Sequence, residues 1–249
     1  MRLVNHFLFL TQFALFSWIT PLLFIPFSLI HNIFDRNTNY WYYNYCLLFR
    51  YLGVNIKYVT DVKRINKGFF LANHRTWADF FIDILLSESA IVGRCAAFAA
   101  VLPGSILGYL DGRTILMDRS KSRKETFDNI LDHLHTDGAF TKRIMFFPEG
   151  TRKKHLHLES VDQTKSMLKP GLLKSIYEYK KLPVQLQISK NKELVANESI
   201  IQSVYGTTIF TSLSEPIEPA KFESFDDFYN EICVVWTKQF NETMDSRMI

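Results

Sequence analysis

The sequence is short of what a disulfide scaffold or a zinc module needs. Its only cysteines, Cys46, Cys95 and Cys233, lie far apart, are odd in number and show no C-x-x-C spacing. That excludes a disulfide framework and a zinc site and suits a reduced, cytosol-facing domain. An excess of one charge is also missing. Lys and Arg total 29 against 25 Asp and Glu, a formal net charge of +4, too mild to argue for nucleic acid as a partner. No internal repeat is visible.

One region has no formal charge at all. Between Arg2 and Asp35 there is no Asp, Glu, Lys or Arg, and Phe7 to Ile33 is dominated by Phe, Leu and Ile. Such a run is a membrane-segment candidate, too long for the apolar stretch of a cleaved signal and followed by no A-x-A-like site. Pro21 and Pro26 each remove a backbone donor and crowd the preceding turn, so the reading is a kinked span or a re-entrant hairpin. Residues 1–39 are therefore expected to be a hydrophobic membrane anchor, and 40–249 the folded domain. Tyr40, Trp41, Tyr42, Tyr43 and Tyr45 follow and are expected at the headgroup layer. Arg2 alone precedes the run, whereas Arg36, Arg50, Lys57, Lys63, Arg64 and Lys67 follow it; for a single span the positive-inside rule then places the domain in the cytosol, and a hairpin gives the same side if the N-terminus is cytosolic, with the endoplasmic reticulum or another internal membrane as the expected location.

From Val54 the pattern turns to that of an α/β domain. Strands are expected over Val54–Tyr58, Gly68–Ala72, Ala90–Gly93, Thr114–Met117 and Ile144–Phe147, where β-rich apolar runs or period-two alternation occur. Helices are expected from Trp77 to Leu86, around Phe127–Leu134 with Gly138 as C-cap, and over Leu172–Tyr179 and Phe225–Met244. The Ala-rich stretch Cys95–Leu110 reads as broken at Pro103 and Gly104, and Lys153–Lys169 as a polar surface loop. Val184, Leu186 and Ile188 alternate with Gln185, Gln187 and Ser189, a strand with one buried face. More strands are expected between Ile200 and Leu213. The alternation of strands and helices argues for an α/β sheet domain rather than a bundle or sandwich.

Two short blocks carry chemistry. Asn73-His74-Arg75-Thr76-Trp77-Ala78-Asp79 stands where an apolar strand gives way to a helix, the usual position for reactive groups in α/β folds. A carboxylate from Asp79 on one nitrogen of His74 would fix the tautomer and leave the other nitrogen to accept a proton. His157 and Asp162 share that spacing but lie in the polar loop, so they read as solvated surface. Phe147-Pro148-Glu149-Gly150-Thr151-Arg152 again follows a strand. It offers a glycine for close backbone approach, a hydroxyl and a guanidinium suited to phosphate. His133-Leu134-His135 and His155-Leu156-His157 lack companion ligands at metal spacing, so no metal is expected.

These blocks resemble the glycerolipid (lysophosphatidate) acyltransferase family. The family's Asn-His, four residues, Asp block is matched at Asn73, His74 and Asp79, and its Phe-Pro-Glu-Gly-Thr-Arg block from Phe147 to Arg152. A second block resembles Gly112 to Arg119, and Lys169 and Gly171 resemble the lysine and glycine that follow the third. The fourth block is only partly matched by Leu182-Pro183-Val184-Gln185-Leu186-Gln187. With the polar insert after Arg152, this is more similar to the lysophospholipid and lysocardiolipin branch, and it leaves the acceptor headgroup open.

The resemblance implies a mixed sheet flanked by helices and an acyltransferase domain over 40–249. It implies a membrane-bound enzyme that passes an acyl chain from acyl-CoA, as co-substrate, to a lysophospholipid acceptor, with no metal or redox cofactor. His74 and Asp79 would be catalytic. Asn73, Arg75, Thr76, Arg119, Glu149, Gly150, Thr151, Arg152 and Lys169 would bind or position the substrate. The alternative is a catalytically silent membrane lipid-binding protein with His74 merely structural.

Overall fold

Strands buried on both faces, alternating with helices that are apolar on one side, can satisfy their backbones only by layering helices over a sheet. A computed structural model describes residues 7, 11, 14–34, 39–94, 102–117, 122–135, 142–195 and 206–246. Its strands are β1 (Asn55–Tyr58), β2 (Gly68–Ala72), β3 (Ala90–Arg94), β4 (Thr114–Met117), β5 (Arg143–Phe146), β6 (Val184–Lys190) and β7 (Thr208–Leu213). They form one seven-stranded sheet in the order β1-β7-β6-β2-β5-β3-β4. From β6 through β2, β5 and β3 to β4 every pairing is parallel, whereas β7 lies antiparallel to β6 and pairs parallel with β1. The sheet is therefore mixed, as expected.

The helices are α1 (Thr20–Phe34), α2 (Tyr40–Tyr51), α3 (Asp79–Ser87), α4 (Leu102–Leu110), α5 (Arg123–His135), α6 (Val161–Met167), α7 (Pro170–Tyr179), α8 (Lys192–Val195) and α9 (Phe225–Asp245). Strand alternation sorts the core into two layers. Phe69, Leu71, Ile144, Phe146, Leu186 and Ile188 pack with Ile130, Leu134, Leu173, Phe228 and Trp236 from α5, α7 and α9. Phe70, Ala72 and Met145 face the other way, towards Trp41 and Tyr45 of α2 and Phe81, Ile82 and Ile84 of α3.

Several expectations need correction. Trp41 and Tyr45 are core residues, stacked against Phe81 rather than set in a headgroup layer. Pro103 and Gly104 do not break the apolar stretch but sit in the first turn of α4, where a proline costs no helical hydrogen bond. Gly104 and Gly108 let α4 approach α2: a Cβ at Gly104 would lie 2.6 Å from the Tyr45 hydroxyl, and one at Gly108 would lie 2.9 Å from Trp41. The polar stretch Lys153–Lys169 contains α6, whose start is capped by Ser160 accepting the Gln163 N–H. The helix expected from Trp77 begins at Asp79. Most tellingly, β6 is buried on both faces, with Gln185, Gln187 and Ser189 at 0 % exposure. Cys95, Gly138 and Arg119 lie outside the described residues.

The apolar N-terminal run is helical where described. A π-helical turn, Leu15–Ile19, is closed by the Thr20 N–H to the Leu15 carbonyl. It stands just ahead of Pro21, a place where the wider turn accommodates a ring that crowds an ordinary one. α1 has 15 residues, about 22 Å of helix. No helix among the described residues is long and apolar enough to cross a membrane. Polar bonds tie this region to the domain. Ser28 Oγ donates to Asp111 at 2.8 Å, Asp111 also accepts the Trp41 N–H at 2.6 Å, and Asn44 Nδ2 donates to the Phe16 carbonyl at 2.6 Å. Yet Trp18, Ile19, Leu22, Leu23, Phe27, Ile30 and Ile33 are exposed, a contiguous apolar surface of the kind that marks an interaction face.

Candidate active site

The C-terminal ends of three neighbouring parallel strands, β6, β2 and β5, deliver the candidate residues to one edge of the sheet. β2 ends at Ala72, and Asn73 then locks the strand end to β6. Its Nδ2 donates to the Ser189 carbonyl at 3.0 Å, and its Oδ1 accepts the Ser189 N–H at 2.8 Å. With Asn73 so occupied, His74 is the first residue free to turn out of the sheet.

His74 is held from several sides. Its Nδ1 lies 3.0 Å from Asp79 Oδ2, and its side chain keeps 22 % exposure while Asp79 is fully buried. The ring stacks on Phe147 at 4.4 Å between centroids and 15° between planes. The His74 N–H donates to Glu149 Oε2, and its carbonyl accepts the Lys153 N–H at 2.8 Å. The strand ends of β2 and β5 thus clasp each other across the imidazole. The two blocks, about 70 residues apart in sequence, form one site.

Asp79 opens α3, where the helix N-terminus favours a carboxylate. Its Oδ2 also accepts the backbone N–H groups of Arg75 and Thr76, the latter at 2.9 Å. Three contacts on one oxygen fix the direction of the carboxylate. Nδ1 of His74 is thereby committed to Asp79, leaving Nε2 as the nitrogen able to take a proton from a substrate hydroxyl.

The Glu149 to Arg152 turn has two levels. Glu149 is buried, and burial pushes its carboxyl up to about 8 against the opposing pull of the His74 N–H. Gly150 takes φ +69°, a left-handed conformation, and the Lys169 side chain passes so close that a Cβ on Gly150 would lie 2.8 Å from Nζ. The Lys169 N–H donates to the Pro148 carbonyl at 2.8 Å. Thr151 and Arg152 are exposed on the same turn. The turn that follows Glu149 thus carries a glycine, a hydroxyl and a guanidinium in succession, with the Lys169 side chain against Gly150, residue types suited to an anionic group.

Arg75 and Thr76, expected to line the site, are both buried next to His74. The Arg75 guanidinium is engaged bidentately by Glu193, 2.9 Å to each oxygen, and donates to the His155 carbonyl at 2.7 Å. His155 and His157 themselves are exposed, and no cluster of metal-ligating side chains occurs among the described residues. An apolar crevice of about 360 Å³ borders α3, lined by Tyr42, Cys46, Phe49, Ile82, Leu85 and Ile209 among others.

Sequence reasoning missed the charged layer beneath the dyad. Lys192, from α8, is completely buried and points its ammonium at Asp83 (2.6 Å), the Asn73 carbonyl (2.5 Å) and Asp79 (3.6 Å). Gln187 of β6 donates to Asp83 at 3.0 Å. One signal was available: Asp79 and Asp83 stand four apart in an otherwise apolar helix, so one face of it had to meet a cation.

Comparison with known proteins fits this geometry. Residues 53–186 match the family model "Acyltransferase". The chain belongs to the acyltransferase family. It is also similar in fold to the crystal structure of the 1-acyl-sn-glycerophosphate (LPA) acyltransferase PlsC from Thermotoga maritima. That likeness covers 100% of both chains with a TM-score of 0.71 at 16% identity. No curated protein matches the sequence. The family match spans both the His74 block and the Arg152 block, so both candidate blocks lie within the shared domain.

Proposed function

We propose that this acyltransferase moves a fatty acyl group from acyl-CoA to the free hydroxyl of a lysophospholipid, lysophosphatidate or another lysoglycerophospholipid, at the surface of an internal membrane with the domain on the cytosolic side. The observation that carries the reading is the His74–Asp79 pair, 3.0 Å apart, fixed beside the Gly150-Thr151-Arg152 turn and Lys169. A base and an anion cradle side by side fit an acceptor that brings a hydroxyl and a phosphate together.

The chemistry follows from the donor. A thioester has an activated carbonyl, and thiols of pKa about 8.5 leave readily as thiolates, so the scarce ingredient is a nucleophile. His74 Nε2 takes the proton as the glycerol oxygen attacks the thioester carbonyl. The tetrahedral adduct collapses with loss of the CoA thiolate, which recovers the proton from the imidazolium. Asp79 holds the tautomer and stabilises the imidazolium, and no acyl-enzyme forms. Base catalysis of this kind contributes roughly 10²–10⁴-fold, with alignment of two bound substrates supplying much of the rest.

Arg152, Thr151, the Gly150 turn and Lys169 take the acceptor's phosphate, joined in this scheme by Arg119. The apolar crevice beside α3 offers room for a chain. The exposed apolar face of α1 rests in the bilayer interface, which suits a helix too short to span. The scheme uses acyl-CoA as co-substrate and needs no metal or redox cofactor.

The test is labelled oleoyl-CoA offered with a panel of lysophospholipids to membranes bearing the protein. A labelled diacyl phospholipid from one or a few acceptors supports the reading and names the headgroup. Absence of product from every acceptor, with folded protein present, would favour a silent lipid-binding role. Leu22→Ser, Leu23→Ser and Phe27→Ser together test the membrane face: weaker sedimentation with vesicles is expected, and unchanged sedimentation would remove α1 as the contact.

A further inference from the structure

Beneath the dyad lies a group of charges that the proposed mechanism does not use. Asp79 Oδ2 serves His74 and two backbone donors. Its other oxygen, Oδ1, is buried without a hydrogen-bond partner, and the nearest opposite charge is the Lys192 ammonium at 3.6 Å. That ammonium is closer to a second buried carboxylate, Asp83, at 2.6 Å, one helical turn along α3. Asp79, Asp83 and Lys192 are all fully buried, so each charge acts on the next more strongly than it would at the surface in water.

The arrangement poses a choice for the lysine. If Lys192 answered Asp79 alone, the Asp79 charge would be spent on the ammonium, and the imidazolium formed during catalysis would gain little from it. Asp83 changes that balance. Two carboxylates and one ammonium sum to one negative charge, which the protonated imidazole then neutralises. The shorter contact to Asp83 shows which partner holds the lysine.

From this geometry we propose that Asp83 is a positioning residue that occupies Lys192, so that the charge of Asp79 stays available to His74 and sets its strength as a base. The inference concerns the proton affinity of His74, and its bearing on acyl transfer rests on the function proposed above.

The surroundings contain few other charges. α3 supplies only Asp79 and Asp83 to this group. From the β5 side come Glu149, held by the His74 N–H, and the Phe147 ring, 5.9 Å from the Lys192 ammonium. From β6 comes neutral Gln187, which fixes Asp83 Oδ1 at 3.0 Å. Arg75 and Glu193 neutralise each other beside it. Burial raises Asp83 to about 7, with Lys192 and Gln187 pulling the other way. As pH falls through that range Asp83 takes up a proton and Lys192 turns its charge to Asp79, which leaves less of that charge for His74.

The test compares the full chain with Asp83→Asn, which keeps an acceptor for Gln187, and with Asp83→Asn/Lys192→Met, which restores one negative charge to the group. The first readout needs no catalysis: the pH dependence of His74 carbethoxylation by diethyl pyrocarbonate, read on its peptide by mass spectrometry. Asp83→Asn should lower the His74 pKa by about one unit, and the double variant should bring it back towards the wild-type value. The acid limb of kcat for acyl transfer should move with it, with kcat falling about tenfold in the single variant and recovering in the double.

A merely structural pair would give two damaged variants with no recovery. An unchanged His74 titration in Asp83→Asn, or a double variant shifted further than the single, overturns the inference. If carbethoxylation moves as expected but no acceptor is acylated, the charge relay stands and only the acyl-transfer reading falls.

Discussion

The two ends of the parallel strands both carry clustered charges, and the clusters differ in kind. At the N-terminal ends, Arg64 and Arg143 share Glu88 at 2.9 and 3.5 Å, with side chains 20 to 34 % exposed. At the C-terminal ends, Lys192 shares Asp79 and Asp83 with no exposure at all. Water screens the first group, which makes it a set of ordinary staples of low worth. The second group is dehydrated, costly to assemble and poorly explained as a source of stability. What repays it is control of a neighbouring imidazole. Similar residue types at opposite ends of one sheet therefore do different things because of burial.

The largest effect is expected from His74→Ala, a loss of acyl-transfer rate of roughly 10²–10⁴-fold with the fold intact by circular dichroism. Lys192→Met alone leaves two buried carboxylates uncompensated and should cost about 3–5 kcal/mol in urea unfolding. Arg64→Ala at the other end should cost less than about 1 kcal/mol by the same measurement. Equal losses for these two would erase the distinction between the ends.

Glu149 gives a pH signature. Its carboxyl, raised by burial to about 8, binds its proton more tightly folded than unfolded. Its contribution is therefore fully favourable below the ordinary glutamate range and is lost as pH rises towards 8. Glu149→Gln should flatten that part of the stability curve between about pH 5 and 8, seen as a smaller fall in Tm than in the wild type.

Much of this was legible from the residues. Six strands were readable from apolar runs or from period-two alternation, and the His74 and Arg152 blocks because each follows an apolar run. The polar face of β6 was read correctly as alternation and wrongly as solvent-facing. Period two reports that two faces differ; it does not report what covers them, and here the side chains of Gln185, Gln187 and Ser189 bond the Ile65 N–H, Asp83 and the Thr211 hydroxyl. Lys192 was illegible for a related reason. A lysine just after a strand, two residues from Lys190, resembles any surface lysine until tertiary structure brings α3 over it. The Trp41 and Tyr45 rings were misassigned because aromatic residues suit a bilayer interface and a core equally well.

The central claim is that His74 is the base for acyl transfer in this family member. It is tested most directly by the rate of labelled acyl transfer from oleoyl-CoA to the best acceptor, for wild type and His74→Ala at matched protein levels. The account predicts product formation in the wild type that all but disappears in the variant, with acceptor binding retained. Undiminished turnover in folded His74→Ala would contradict it.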